Sequence, residues 1–416
     1  MNLTTSSLGL VLAATATAAF GQYNTPQSQP QQSAAPQGES AKAPDLKPSS
    51  KALKAIVDLQ TAVNKNDYAS VPAKVAAAQA VASTKEDRYI IGQLHLKAAL
   101  AAKDNAAAAT AIDTIANSGY VDAAKSAALY DSLGTTFYNA KQFDQAAAAF
   151  EKATSLDPRN SEALTLLGEA RFAQGRKADA AAAFQRSIQA SLAAGQKPQE
   201  AVYKRALGIA YEAQLPIAVE LGRQWAAAYP SADSWQNSIA VYRNLMKPDV
   251  EGTLDLLRLM QAAGALTRAA DYNLFATAAA DQLNYNEAQA VLDQGIAAKI
   301  VDPASPLFRD TVTGLKSKQK ATAADLETAA KTAQSGMALL RIGDRYYGMG
   351  NYAKAVELYK QAMAKGGVDA NIANLHIGMA LTRSGDKAGA QAALKAVGGD
   401  RAEIAKYWLM YLQSHA

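Results

Sequence analysis

The chain has no cysteine, which excludes disulfides, thiolate metal sites, a cysteine nucleophile and a lipid-modified cysteine among these residues. Aromatic residues make up only 7%, and 42 Lys and Arg against 37 Asp and Glu leave a net charge of +5. Spread over 416 residues without clustering, that charge carries no nucleic-acid footprint. The three histidines, His95, His376 and His415, stand far apart, and no His-Glu-x-x-His pair offers zinc a helical face. There is no Gly-rich phosphate loop and no Gly-x-Ser-x-Gly elbow. Ser317–Lys320 satisfies Ser-x-x-Lys, but in a Lys-rich stretch where so short a match arises by chance. The sequence therefore reads as non-enzymatic, with no cofactor and no metal, although long-range triads leave no local trace. His95 falls on a first helix of a helix pair, where a partly buried structural role is expected, and His415 in a fraying terminus.

Alanine dominates what is present. It has the best helix propensity, and β-branched residues are sparse, so close-packed helices are expected rather than sheets. The length allows two or three ordinary domains or one elongated repeat array. Leu8–Phe20 is an apolar run of signal-peptide length, too short to span a bilayer, and Ala19 and Gly21 supply small residues for cleavage after Gly21. Met1–Ser7 carries no Lys or Arg, so either the free amino terminus suffices or the true start lies upstream. Residues 1–21 are read as a signal peptide and the chain as periplasmic or secreted, with no membrane span after cleavage. Residues 22–50, rich in Pro, Gln and Ser, cannot bury enough surface to offset their ordering entropy and are read as a disordered linker.

From residue 51 onward a helical pattern repeats. Tyr130, Leu133, Gly134, Phe137, Ala146, Phe150, Ala153 and Pro158 are followed, 34 residues on, by Leu164, Leu167, Gly168, Ala180, Phe184 and Ser187. Near the other end come Leu339, Ile342, Gly343, Tyr346, Gly350, Tyr352, Ala355, Tyr359 and Ala362, then Ile377, Gly378, Leu381, Gly385, Ala390, Leu394 and Val397. Spacings of three and four place the large residues on one stripe of each helix. The small residue at the eighth position (Gly134, Gly168, Gly343, Gly378) is expected to face the one at the twentieth (Ala146, Ala180, Ala355, Ala390), letting the axes approach. Gly350 and Gly385 permit the turn between helices, and Pro158 ends its pair.

These residues resemble the tetratricopeptide repeat. The match is close over 127–194 and 336–404 and degenerate elsewhere, with Leu207, Gly208, Tyr211, Ala218 and Pro230 outlining one further pair, Trp235, Tyr242 and Pro248 a second, and Tyr272, Phe275, Ala276, Ala288 and Leu292 a third. The paired small residues and Pro158 favour this family over the RNA-reading pentatricopeptide array, and the exact offset argues against a plain Ala-rich bundle. The expected fold is all-α: a right-handed α-solenoid of about ten stacked antiparallel helix pairs after the disordered leader. Its segments are degenerate repeats at 51–126, TPR-like repeats at 127–302, a degenerate pair at 303–335, TPR-like repeats at 336–404 and a capping helix at 405–416, with Trp408 and Tyr411 covering the last repeat.

The resemblance implies a function as a protein-interaction scaffold whose partner lies on the concave face, along exposed offsets of each first helix. Those offsets hold Asp131, Tyr138 and Asn139, then Glu162, Glu169 and Phe172, then Asp344 and Tyr347, then Leu375, Met379 and Arg383. Arg205, Glu212, Asn237, Arg243, Asn244, Asn273 and Asp281 fall there in a looser register. Tyr138, Phe172 and Tyr347 stand out as exposed aromatic anchors. The family's Lys and Asn set for clamping a carboxylate is replaced by Asp131, Thr135, Thr165 and Glu169. The partner is expected to be an envelope protein or peptide, with oligomeric state open. Two other readings remain: an enzymatic or regulatory subunit with a site in 232–335, or a self-assembling solenoid, which the polar Lys406 and Gln413 of the capping helix oppose.

Overall fold

The computed structural model describes residues 46–414, and among them the chain is all helical, with 21 α-helices and one short 3-10 turn. Residues 1–21, read above as a signal peptide, most of the expected linker and His415 lie outside the described residues. No helix among the described residues is long and apolar enough to cross a membrane. The chain divides into two compact units between Asp122 and Ala123.

The first unit contains α1 (Leu53–Asn64), α2 (Val71–Val81), α3 (Lys85–Ala102) and α4 (Asn105–Ala116). Ile56, Leu59, Val63, Val75, Ile91 and Leu94 form its core. A Cβ on Gly92 would stand 2.6 Å from Ile115, so glycine there sets how closely α3 and α4 approach. His95 is buried on α3, where a structural role was expected. The start of α3 is fixed by a capping box in which Thr84 and Asp87 exchange hydrogen bonds. Asp87 is fully buried and also accepts from Ser49 N and Oγ, both at 2.7 Å, and from Ser83 N at 2.9 Å. Burial alone would raise its pKa, but these donors from Ser83, Ser49 and Thr84 hold it well below the usual carboxylate range. The unfolded carboxyl therefore binds protons more tightly than the folded one. Its stabilisation is complete above the unfolded value of about 3.9 and fades as pH falls below it. Asp87→Asn should lower stability by roughly 1–3 kcal/mol at neutral pH, with the deficit shrinking on acidification. Thermal unfolding of both proteins from neutral to strongly acid pH checks this, and a pH-independent gap would contradict it.

The second unit runs through α5 (Ala123–Asn139), α6 (Phe143–Leu156), α7 (Ser161–Ala173), α8 (Lys177–Ala193), α9 (Glu200–Glu212), α10 (Ile217–Ala228), α11 (Ala232–Met246), α12 (Val250–Ala262), α13 (Ala269–Asp281) and α14 (Tyr285–Ala297). It continues with α15 (Arg309–Lys316), α16 (Ala323–Thr332), α17 (Gly336–Gly348), α18 (Tyr352–Lys365), α19 (Ala370–Ser384), α20 (Lys387–Lys395) and α21 (Ala402–Ser414). Consecutive helices pack as pairs, α5 on α6, α7 on α8, α17 on α18 and α19 on α20, and each pair stacks on the next. Between paired helices the chain turns through a left-handed residue, Gly350 at φ 78° and Gly385 at φ 87°, as expected for glycine.

The close approach within each pair differs from the sequence expectation. A Cβ on Gly134 would meet the Phe150 ring at 2.7 Å, one on Gly168 the Phe184 ring at 2.8 Å, and ones on Gly343 and Gly378 would meet Tyr359 and Leu394 at 2.5 Å. The eighth-position glycine thus receives the large residue one turn beyond the predicted alanine. Ala146, Ala180, Ala355 and Ala390 are fully buried, but a ring in three pairs and Leu394 in the fourth fill the glycine's gap. A flat ring laid on a bare backbone buries more surface than two small residues face to face.

Two further expectations are corrected. Residues 303–335 do not form a pair like the others: α15 rests on α13 and α14, while α16 rests on α17. Each has a single buried residue, Leu315 or Leu326, too little apolar surface to hold the two short helices to one another. The last helix does not merely cover the last repeat. It contacts α19 and α20 but also packs on α10 and α12, far back along the chain. Tyr407 and Trp408 are fully buried there. The Tyr407 and Tyr242 rings meet at 5.9 Å, those of Tyr411 and Trp235 at 6.1 Å, and Trp408 Nε1 donates to the Asp255 carbonyl at 3.3 Å. Lys406 and Gln413 remain exposed.

Candidate functional site

The first helices α5, α7, α9 and α11 bring several of the predicted residues side by side. Arg205 on α9 donates to both oxygens of Glu169 on α7, at 2.9 and 2.7 Å. Its guanidinium lies 4.2 Å from the Phe172 ring centre, a cation–π contact. Tyr138 on α5 stands near this pair: burial raises its hydroxyl pKa, the Glu169 charge adds to the rise, and Arg205 opposes it. Its ring makes an edge contact with Phe143 at 5.6 Å. All four residues are only partly buried. The row continues on α11, where Asn244 donates to Tyr211 Oη at 2.8 Å and the half-buried Arg243 lies 3.7 Å from Asp271. Lys177 reaches Glu212 at 2.7 Å. Asn139 is exposed at the end of α5, and Asp131 is half-buried with one carboxylate oxygen unpartnered; burial and then Glu162 raise its pKa.

Since Arg205 is already engaged by Glu169, the accessible chemistry of this row is aromatic and amide rather than a free cation. It suits the apolar side chains and backbone of a peptide better than a carboxylate.

The predicted positions nearer the other end are not exposed. Asp344 is 8% and Tyr347 6% exposed, and Leu375 and Met379 are fully buried. Here α17 packs on α14, and α19 packs on α21, so the face expected to be open is covered within the chain. Only Arg383 stays exposed, donating to Tyr352 Oη at 3.2 Å.

Beneath this cover lies a buried polar network. Arg258 on α12 is 2% exposed and donates to both Glu287 oxygens at 2.8 Å and to Asp255 Oδ1 at 3.2 Å. Its guanidinium lies 4.7 Å from the Tyr347 ring centre. His376 on α19, 1% exposed, sits with Nε2 3.3 Å from Asp255 and Nδ1 2.9 Å from Asp344. Tyr359 donates to Asp344 Oδ1 at 2.8 Å. Burial would lower the His376 pKa, but Asp344 and then Asp255 drive it well upward. Asp344 moves down in turn, His376 overcoming the effect of burial. Sequence reading did not single out Asp255, Arg258 or Glu287. The available signal was Leu254–Met260, an apolar run interrupted by Asp and Arg one turn apart, every residue of which is buried.

The sequence profile of the tetratricopeptide repeat matches residues 132–201 and 340–403. No curated protein matches the sequence. Solved structures similar to the chain include Naa15/Naa10 bound to HypK-THB, at 12% identity and a TM-score of 0.34 over 85% of this chain. This chain spans 64% of that one. The TPR2AB domain of yeast Sti1 in complex with pHSP90 is similar at 15% identity and a TM-score of 0.24, over 69% of this chain and 98% of that one. Pseudomonas aeruginosa pilF is similar at 13% identity and the same TM-score, over 64% and 97%. Both profile matches fall on helix pairs built around the glycine-on-ring contact, Gly134–Phe150 and Gly168–Phe184 in one, Gly343–Tyr359 and the equivalent Gly378–Leu394 in the other. On that shared helix-pair design the chain carries tetratricopeptide repeats over these two segments.

Proposed function

We propose that this protein is a non-catalytic scaffold that binds an envelope protein or peptide along the first-helix row of α5, α7, α9 and α11, outside the cytoplasm. The carrying observation is the cluster of Tyr138, Glu169, Phe172 and Arg205, contributed by consecutive repeats and left partly open. Arrays of this family are protein-interaction scaffolds, and partly exposed aromatics beside a fixed guanidinium are the residue types that dominate interface energies. The placement outside the cytoplasm rests on the apolar run Leu8–Phe20 alone.

One experiment tests both parts. The tagged full chain is expressed in a Gram-negative host, fractionated, and used to capture partners from envelope extract, alongside a Tyr138→Ala/Phe172→Ala variant. Recovery of the protein in the periplasm or medium is expected, with partners lost by the double variant. Each truncation removes an aromatic anchor worth roughly 2 kcal/mol or more, so the pair should weaken binding at least a hundredfold. Purely cytoplasmic recovery overturns the compartment, and full retention of partners by a folded variant overturns the surface.

A further inference from the structure

Next to the buried network, α12, α17 and α19 border a pocket of about 340 Å³ lined by Asp249, Glu251, Asp344 and Asp369, by one cation, Arg341, and by apolar side chains such as Leu340. One ligand atom from each of Glu251, Asp344 and His376 lies within 4.8 Å of the other two. We infer that this pocket holds a divalent transition-metal ion such as Zn²⁺, bound by Glu251, Asp344 and His376 with its remaining position open to the pocket.

Three observations support this independently of proximity. First, His376 is almost fully buried, yet neither ring nitrogen has a hydrogen-bond partner along its axis, and one Asp255 oxygen is likewise unpartnered. Nδ1 is 2.9 Å from Asp344 Oδ1 without being aimed at it. Lone pairs that converge on a third point rather than on each other give this relation, and two ligands of one metal at about 2.0–2.2 Å are separated by a comparable distance.

Second, with the imidazole neutral, as a ligand must be, the buried or half-buried carboxylates Glu251, Asp255, Glu287 and Asp344 face only the two guanidiniums of Arg258 and Arg401, an excess of two negative charges. Buried carboxylates are expected to be paired or to coordinate a metal, and a divalent ion supplies the missing charge.

Third, each ligand has its own support, as metal ligands do. Tyr359 donates to Asp344, Arg401 lies 3.3 Å from Glu251, and Asp255 flanks the far ring nitrogen of His376 while being itself held by Arg258. Binding the ion through Nδ1 requires that nitrogen deprotonated, with the remaining imidazole proton on Nε2 on the Asp255 side. Mixed nitrogen and oxygen donors select Zn²⁺ or a neighbouring transition metal over Ca²⁺ or Mg²⁺, which take oxygen alone. Glu251 closes the set by turning inward from its partly buried position on the pocket wall.

The test titrates the EDTA-stripped full chain with ZnCl2 by calorimetry and follows thermal unfolding, with CaCl2 as a comparison. Stoichiometric Zn²⁺ binding is expected, with the unfolding midpoint raised by roughly 5 °C at a hundredfold excess over Kd. Ca²⁺ should give no such shift. His376→Gln should abolish binding, and Glu251→Gln, a pocket-wall change chosen to keep the fold, should weaken it at least about tenfold. Asp369→Asn, in the pocket but outside the ligand set, should retain the wild-type affinity. If the folded wild type binds no Zn²⁺, or Glu251→Gln binds it as tightly as wild type, the site is refuted.

Discussion

Arg258→Leu should destabilise the second unit by about 3–5 kcal/mol, the range for removing one member of a buried ion pair. Leucine matches the guanidinium stem in volume but strands Glu287 and Asp255, both buried, without their shared partner. Burial would lower the arginine's pKa, but Glu287 first and then Asp344 and Asp255 hold it far above its ordinary value, so the charge is present at any accessible pH. Arg258→Lys tests geometry separately from charge, since an ammonium cannot make the two parallel bonds to Glu287 and should recover only part of the loss. Urea unfolding of the three proteins measures this. A loss below about 1 kcal/mol for the leucine variant would mean that the network is hydrated rather than dry.

Trp408→Ala is the second large effect, expected to cost about 3–5 kcal/mol as a large buried aromatic removed from a close-packed site. Trp408 has no exposed surface, and its Nε1 bond to the Asp255 carbonyl is lost along with its packing. Around it, Tyr407 pairs with Ser238 at 2.9 Å, Tyr411 donates to the Ala262 carbonyl at 3.0 Å, and Arg401 reaches Asp249 at 2.8 Å. Removing residues 402–416 should do more, uncovering Trp235, Tyr242 and the buried faces of α12. The remaining tryptophan emission should then shift to the red while helix content falls only slightly. Hydrogen exchange resolves where the damage goes: amides of α11 and α12 should lose protection before those of α5–α8. Unchanged protection on α11 and α12 would show that the last helix is a passive end cap after all.

What the sequence made legible is the repeat, because its information is local. The stripe on each helix, the turn glycines Gly350 and Gly385 and the stop at Pro158 all follow from spacings of a few residues, and the structure places them in those roles. The pairing across helices was read one turn short. Ala146 and Phe150 lie on the same stripe, and spacing alone does not say which of them enters the gap at Gly134. The site divides similarly. Tyr138, Glu169, Phe172 and Arg205 came together because neighbouring repeats put equal offsets in line. Asp344 and Tyr347 share those offsets but are not surface, because what covers them arrives from α12, α14 and α19. No periodic pattern encodes a contact between residues some 150 positions apart, such as Arg401 with Asp249 and Glu251.

That return of α21 to α10–α12 also governs the order of events during synthesis. In a simple array each repeat is complete once its neighbour has been made, and folding advances along the nascent chain. Here α12, with Leu254–Met260 and their embedded charges, waits for residues 402–414 before it is enclosed. Closing so long a loop carries an entropic cost that local stacking does not, which slows the last step and leaves an apolar surface bare meanwhile. A ribosome stalled shortly before residue 402 would thus carry a chain that is mostly helical yet sticky, a natural client for a holding chaperone.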